Sequence, residues 1–379
     1  MSSNSDNLLE FRELILNSKK PLLIKNLVQC ELTSWTLEQW TDLLKNDNLQ
    51  FRCGTNAHTK EPQWESLCQI RTGKFQDFLN ETKSNENDWW YFDYKYLCEW
   101  FTNKEAFKEK INWSSLGFPE ITANESTIWI GSKGAHTPCH VDTYGCNMVM
   151  QLYGRKMWLL FSPEQNLKQT RIPFEESSIY SQLNFFSPDI ENFKDITNCH
   201  KLILNPGDIL IVPHKWWHYV ENLEMAISIN AWLPLPQDDY ERVKESIATI
   251  LVRNTIHGER TLQSLVLNPN MANDMITCDE ALNIIKSYKD KLREDLAKKS
   301  SCGGSLEIIL SKHKNISKVP TLSDMEFKQF LTSQSERFKQ AEETKALKNL
   351  THHQNMLDFL EVVTDNKVLD LIAKKLIQK

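Results

Sequence analysis

The stretch KLILNPGDILIVPHKWWHYVENLEMAISINAWLPLP, residues 201–236, decides the fold. Four apolar runs stand in it: Leu202–Leu204, Ile209–Val212, Tyr219–Val220 and Ile227–Trp232. Asn205-Pro206-Gly207-Asp208 divides the first two, and these residue types favour tight turns. Pro213-His214-Lys215 makes another turn. Short apolar runs between turns predict strands of a sandwich or barrel. A jelly roll is one arrangement that hides the sheet edges.

Upstream, Thr127–Ile130, Asn147–Leu152 and Lys156–Phe161 continue the pattern, with Tyr153-Gly154 separating the last two. The β region is therefore placed from Ser126 to Trp232. Residues 1–125 read as a mixed α/β segment packing on the barrel. It holds a helix over Leu8–Leu16, a strand over Pro21–Lys25, and a helix over Trp35–Leu44 with Thr33 or Ser34 as N-cap. A strand over Leu49–Cys53 and a short amphipathic piece over Phe75–Leu79 follow. After Pro234-Leu235-Pro236 the pattern turns helical: Val243, Ile247, Ile250 and Leu251 share one face, as do Leu369, Ile372 and Leu376. The expected class is α+β: a double-stranded β-helix (jelly roll, cupin-like) over 126–235, with N-terminal helices and strands and a C-terminal helical region over 236–379. Ser300 to Ser305 reads as a hinge or loop.

With 379 residues and 40% hydrophobic content, the chain can bury a sizeable core. A net charge of −6, from 44 basic and 50 acidic side chains, argues against a general nucleic-acid binder. Lysine-rich Lys286 to Lys299 is interrupted by acids and reads as a solvated helix face. No run of 18 apolar residues suggests a membrane span, and the polar start is unlike a signal peptide. The nine cysteines are scattered and form no C-x-x-C pair, so they are expected as free thiols, mostly small buried hydrophobes. A cytoplasmic location, with the nucleus as a second compartment, is the expectation.

The densest polar chemistry is His136-Thr137-Pro138-Cys139-His140-Val141-Asp142. His140 and Asp142 are two apart, so in extended chain they face the same side. His218, in Lys215-Trp216-Trp217-His218-Tyr219, offers a third ligand. Two imidazoles and one carboxylate suit non-haem iron(II) and leave coordination positions open. Histidine–any–aspartate alone recurs by chance as ordinary polar residues; the β context around both segments raises the ligand reading. The rival is structural zinc on His136, Cys139, His140 and Cys146, but that spacing lacks a close knuckle. His136 is expected in a loop and His214 in a turn.

Lys156 shares a strand face with Trp158 and Leu160. An inward lysine there needs an anionic partner, and a bound dicarboxylate would serve. The alternative is an edge-strand lysine that snorkels to solvent. Asn147 and Asn230 stand in apolar strands, where asparagine is disfavoured, which suggests retention for a hydrogen bond. The alternative for each is a strand-end asparagine bonding the backbone. Thr137 and Tyr91 are candidate hydroxyl donors; a turn threonine and a core aromatic with a wet tip are the alternatives.

With these residues the sequence resembles the jumonji-C dioxygenases. The markers are Thr137 to Asp142, Asn147, Gly154-Arg155-Lys156, Pro206-Gly207-Asp208, Trp216-Trp217-His218 and Asn230-Ala231-Trp232. Within that family it is similar to the asparaginyl hydroxylase branch of the hypoxia-inducible factor. It is also similar to the heat-shock-protein-associated type, through Trp129 to Ser132, Gly134 to His140, Thr170-Arg171-Ile172-Pro173, Glu175-Glu176-Ser177-Ser178 and Trp89 to Leu97. The resemblance implies a 2-oxoglutarate- and iron(II)-dependent dioxygenase that hydroxylates a protein side chain. It implies His140, Asp142 and His218 as iron ligands and Lys156 on the far carboxylate of 2-oxoglutarate. It further implies Thr137, Asn147, Asn230 and Tyr91 as other cosubstrate contacts. A small heat-shock protein is the implied partner, and the C-terminal helices imply a homodimer. The alternatives are an interaction protein with little or no turnover, or a histone lysine demethylase; the demethylase lacks support from a zinc reader module or a basic face.

Overall fold

The computed structural model describes residues 2–170, 178–256, 276–297, 310, 312–338 and 354–379. The strands are β1 (Leu22–Ile24), β2 (Leu49–Thr55), β3 (Gln69–Gly73), β4 (Asp88–Tyr96), β5 (Ser126–Gly131), β6 (His136–Asp142) and β7 (Cys146–Tyr153). They continue with β8 (Lys156–Phe161), β9 (Ser178–Tyr180), β10 (His200–Leu204), β11 (Ile209–Val212), β12 (Trp217–Asn222), β13 (Ala226–Leu233) and β14 (Ile316–Lys318). The helices are α1 (Ser2–Asn17), α2 (Leu37–Leu44), α3 (Phe75–Ser84), α4 (Leu97–Trp100) and α5 (Glu105–Lys108). Beyond the barrel come α6 (Asp238–Thr255), α7 (Cys278–Ala297), α8 (Asp324–Glu336), α9 (Gln354–Val363) and α10 (Asn366–Gln378).

The strands form two antiparallel sheets, ordered β14-β1-β11-β7-β13-β5-β4-β2-β3 and β10-β8-β12-β6-β9. Between Ser126 and Leu233 the chain passes repeatedly from one sheet to the other, as a double-stranded β-helix requires. The N-terminal strands β4, β2 and β3 continue the larger sheet beyond β5, and β1 extends it beyond β11.

Strand β8 shows why the apolar runs are continuous. Met157, Leu159 and Phe161 pack outward with Phe327 and Leu331 of α8. Trp158 and Leu160 pack with Val149, Leu202, Leu210 and Val220, which come from both sheets. A strand covered on both faces gives no alternation of apolar and polar residues. The turn at residues 205–208 closes through an Asp208 N–H donated to the Asn205 carbonyl, and Gly207 adopts φ +90°, which glycine accepts without a Cβ clash.

Several local expectations shift. The cap of α2 is Thr36, not Thr33 or Ser34, because Glu31–Ser34 forms its own 3-10 turn and Thr36 makes a reciprocal capping box with Gln39. The buried face of α10 is Leu369, Ala373 and Ile377; Ile372 and Leu376 flank it. The C-terminal region also supplies a strand: β14 pairs with β1, and α8 packs on the smaller sheet. His136 opens β6 and is buried, rather than lying in a loop. Among the described cysteines none is bonded to another, and Cys98 is exposed. Arg171 to Pro173, Glu175 to Ser177, and Ser300 to Ser305 with Cys302 lie outside the described residues. No described helix is long and apolar enough to cross a membrane.

Candidate metal centre

Strand pairing assembles the three candidate ligands. His140 and Asp142 lie two residues apart on β6 and so share a face. His218 on β12 pairs directly opposite His140. The donor atoms of His140, Asp142 and His218 lie within 4.8 Å of one another. His140 Nε2 is 3.6 Å from Asp142 Oδ1, and His218 Nε2 is 3.8 Å from Asp142 Oδ2.

The imidazoles are poised as ligands. His140 Nδ1 bonds the Pro138 carbonyl at 2.9 Å, and His218 Nδ1 bonds the Trp216 carbonyl at 3.0 Å. A carbonyl only accepts, so the proton sits on Nδ1 and the Nε2 lone pair faces the centre. Burial, reinforced by His218, lowers the His140 pKa to about 4, which keeps its ring neutral near pH 7. Burial opposes the charge on Asp142. The two imidazoles and hydrogen bonds from Trp232 and Asn147 outweigh that penalty and hold its pKa below the usual value.

Lys156 lies on the same cavity wall. Its side chain is 1% exposed, and among the described residues no carboxylate forms a salt bridge with it. Nζ donates to Ser228 Oγ at 2.7 Å and to Tyr91 Oη at 3.3 Å. Burial lowers its pKa to about 7, partly opposed by Asp93. Thr137 bonds Tyr91 and lines the same space. That cavity has a volume of about 580 Å³ and is lined by the ligand triad, Lys156, Ser228 and Trp158.

Asn147 and Asn230 also line the cavity, and their side chains bond other polar side chains rather than backbone. Asn147 donates to Asp142 Oδ2 at 3.2 Å, and Asn230 donates to Asn147 Oδ1 at 2.9 Å. Ser228, Trp129 and Trp158 were not singled out for the site by sequence reading. Ser228 is two residues from Asn230 on β13, so strand alternation carried a signal for it. Trp158 stacks on His218 with ring centroids 5.8 Å apart, and its buried Nε1 has no partner among the described residues. No local signal distinguishes Trp129 from any core tryptophan.

His136, the rejected ligand, points elsewhere. It stacks on Phe186 at 4.1 Å, and burial lowers its pKa to about 3. It therefore serves as neutral core.

Residues 8–238 match the family described as "Cupin-like domain". The chain belongs to that family. Proteins similar to the chain include HSPB1-associated protein 1 of Bos taurus, 39% identical over 259 residues, covering 64% of this chain and 54% of that protein. The Danio rerio HSPB1-associated protein 1 homolog is 34% identical over 274 residues, covering 66% of this chain and 60% of that protein. Lysine-specific demethylase 8 of Xenopus tropicalis is 34% identical over 119 residues, covering 30% of this chain and 26% of that protein. This cupin-like chain thus spans about half the length of its HSPB1-associated relatives.

The residues fit a metal with a dicarboxylate. Two imidazoles and one carboxylate are a facial donor set for non-haem iron(II). A buried ammonium without a carboxylate partner is costly, and an anionic ligand group beside it removes that cost.

Proposed function

We propose that this chain is an iron(II)- and 2-oxoglutarate-dependent oxygenase acting on a protein side chain. One observation carries the reading: the His140–Asp142–His218 triad and the buried Lys156, which among the described residues makes no salt bridge, face a single cavity. His140, Asp142 and His218 would hold the iron. Lys156, steadied by Ser228 and Tyr91, would hold the remote carboxylate of 2-oxoglutarate, with Thr137 adding a hydroxyl. When bound, iron and cosubstrate supply the oxidative chemistry that inserts oxygen into a C–H bond. The chain's own groups fix geometry: backbone carbonyls lock both imidazole tautomers, and the apolar walls between the sheets restrict water.

The test is anaerobic addition of iron(II) and 2-oxoglutarate, read by a metal-to-ligand charge-transfer band. The band is expected in the wild type and absent in His140→Ala. If neither protein gives the band, the oxygenase reading fails.

Lys156 sets a pH dependence. Its pKa of about 7 leaves the amine largely neutral above that pH, and a carboxylate must recharge it. Dicarboxylate binding is therefore expected to take up a proton above pH 7 and to weaken as pH rises, by up to about tenfold per unit. Calorimetry in two buffers of different ionisation enthalpy measures the uptake. Proton release above pH 7 would contradict it.

A second reading is favoured by the relatives' name, which states association with HSPB1 rather than a reaction. On that reading the chain binds a small heat-shock protein. Unchanged capture of that partner by His140→Ala would separate binding from turnover. Demethylation remains the third reading, supported by the name of the shorter match.

A further inference from the structure

The cavity wall opposite the imidazoles holds a directed hydrogen-bond chain. Trp129 Nε1 donates to Asn230 Oδ1 at 2.7 Å. Asn230 Nδ2 donates to Asn147 Oδ1 at 2.9 Å, and Asn147 Nδ2 donates to Asp142 Oδ2 at 3.2 Å. Trp232 Nε1 donates to the same Oδ2 at 3.0 Å. We infer that Trp129, through Asn230 and Asn147, is a positioning residue that orients Asp142 for metal binding. The inference rests on the metal reading above and goes beyond the ligand set itself.

The physical argument is one of direction. A carboxamide fits its pocket equally well in two orientations, which exchange its oxygen and nitrogen. An indole N–H can only donate, so Asn230 must turn its oxygen to Trp129. Its nitrogen then faces Asn147, which must present oxygen to receive it. The Asn147 nitrogen is thereby left for Asp142. The far tryptophan thus sets the polarity of both amides. Each bond strengthens the next in a site screened from water. With Oδ2 held by two donors the carboxylate plane is fixed, with Oδ1 3.6 Å from His140 Nε2 and Oδ2 3.8 Å from His218 Nε2.

The ring positions are braced. Tyr94 packs on Trp129 at 5.8 Å and on Trp232 at 5.6 Å between ring centroids. Tyr94 has φ +55°, a left-handed conformation uncommon for tyrosine, and β4 shifts register there against β5. That irregularity turns one aromatic ring against both indole donors. The strain is of the kind that persists where the surroundings over-determine a position.

The test uses Mn(II) as a redox-silent probe on the full chain, with affinity measured by calorimetry and folding by thermal melting. Trp129→Phe keeps the ring and removes the donor. It is expected to weaken Mn(II) binding by about tenfold, the scale for loss of a group behind a ligand. Asn147→Ala is expected to weaken it at least as much. The double variant is expected to match Asn147→Ala alone, because groups in series are lost together. If Trp129→Phe fails to fold, Asn230→Asp supplies the same test at unchanged shape: it removes the Nδ2 donor, so Asn147 turns its nitrogen away from Asp142, and Mn(II) affinity falls. A folded Trp129→Phe or Asn230→Asp with wild-type affinity overturns the relay. So does a double variant whose loss equals the product of the two single losses, which is the result for independent packing defects. Wild-type protein that binds no Mn(II) is a different failure, that of the metal reading itself.

Discussion

A His218→Ala variant is expected to lose divalent-metal binding by more than the ~100-fold that removal of an outer partner costs, while keeping its fold. His218 is the ligand contributed by the second of the two paired strands; without it His140 and Asp142 remain as a two-donor site on β6. The change should leave the fold standing because the truncated ring borders a cavity of about 580 Å³ that is already open. Trp158 loses its stacking partner, a modest loss for one aromatic contact. Mn(II) calorimetry measures the affinity, and a thermal melt checks the fold. Wild-type affinity in His218→Ala would remove the reason for grouping these three side chains.

An Arg337→Met variant is expected to lose about 3 kcal/mol of stability, although Arg337 lies well outside the cupin-like match. Its guanidinium follows α8 and bonds Glu221 on β12, with an Nη2 to Oε2 distance of 3.2 Å. Glu221 is 3% exposed, and Tyr219 donates to it at 2.7 Å. Removing Arg337 strands that carboxylate in the interior with a phenol as its remaining side-chain donor among the described residues. The value sits at the low end for breaking a buried pair, because Arg337 keeps 25% side-chain exposure. Arg337 also donates to the Phe186 carbonyl and stacks on the Phe186 ring, which in turn stacks on His136 at the start of β6. The C-terminal segment is thus tied to both strands that carry the metal triad. Urea unfolding measures the loss. Adding Glu221→Gln to Arg337→Met should recover part of it by removing the unpaired charge. A single variant within 0.5 kcal/mol of wild type, the usual surface range, would show that Glu221 does not depend on Arg337.

Much of the barrel was readable because its signals are local. The turn at Asn205–Asp208 and the run Lys156–Phe161 are coded by neighbouring residues, and both stand where expected. His140 and Asp142 were readable as a pair because a strand's period of two puts them on one face. Strand β4 was harder. Its Trp89-Trp90-Tyr91-Phe92 run is apolar on both faces, with Phe92 in the core beyond the larger sheet and Tyr91 reaching Lys156. Strand β14 is three residues long and carries two lysine or serine positions, so nothing in its composition marks it. Its strand character comes from pairing with β1.

By itself, then, the amino-acid order determined the turns, the short apolar strands, the jelly-roll class and the residue types able to bind a metal and a dicarboxylate. Folding decided which of them meet. Register across β6 and β12 set His218 opposite His140, and the inter-sheet interior left Lys156 buried with no salt-bridged acid among the described residues. It also turned Asn147 toward Asp142 and Asn230 toward Asn147, and brought Arg337 onto Glu221. The reason is physical: backbone propensity and side-chain periodicity act over a few neighbouring residues, whereas desolvation and hydrogen-bond direction depend on groups that only chain closure brings together.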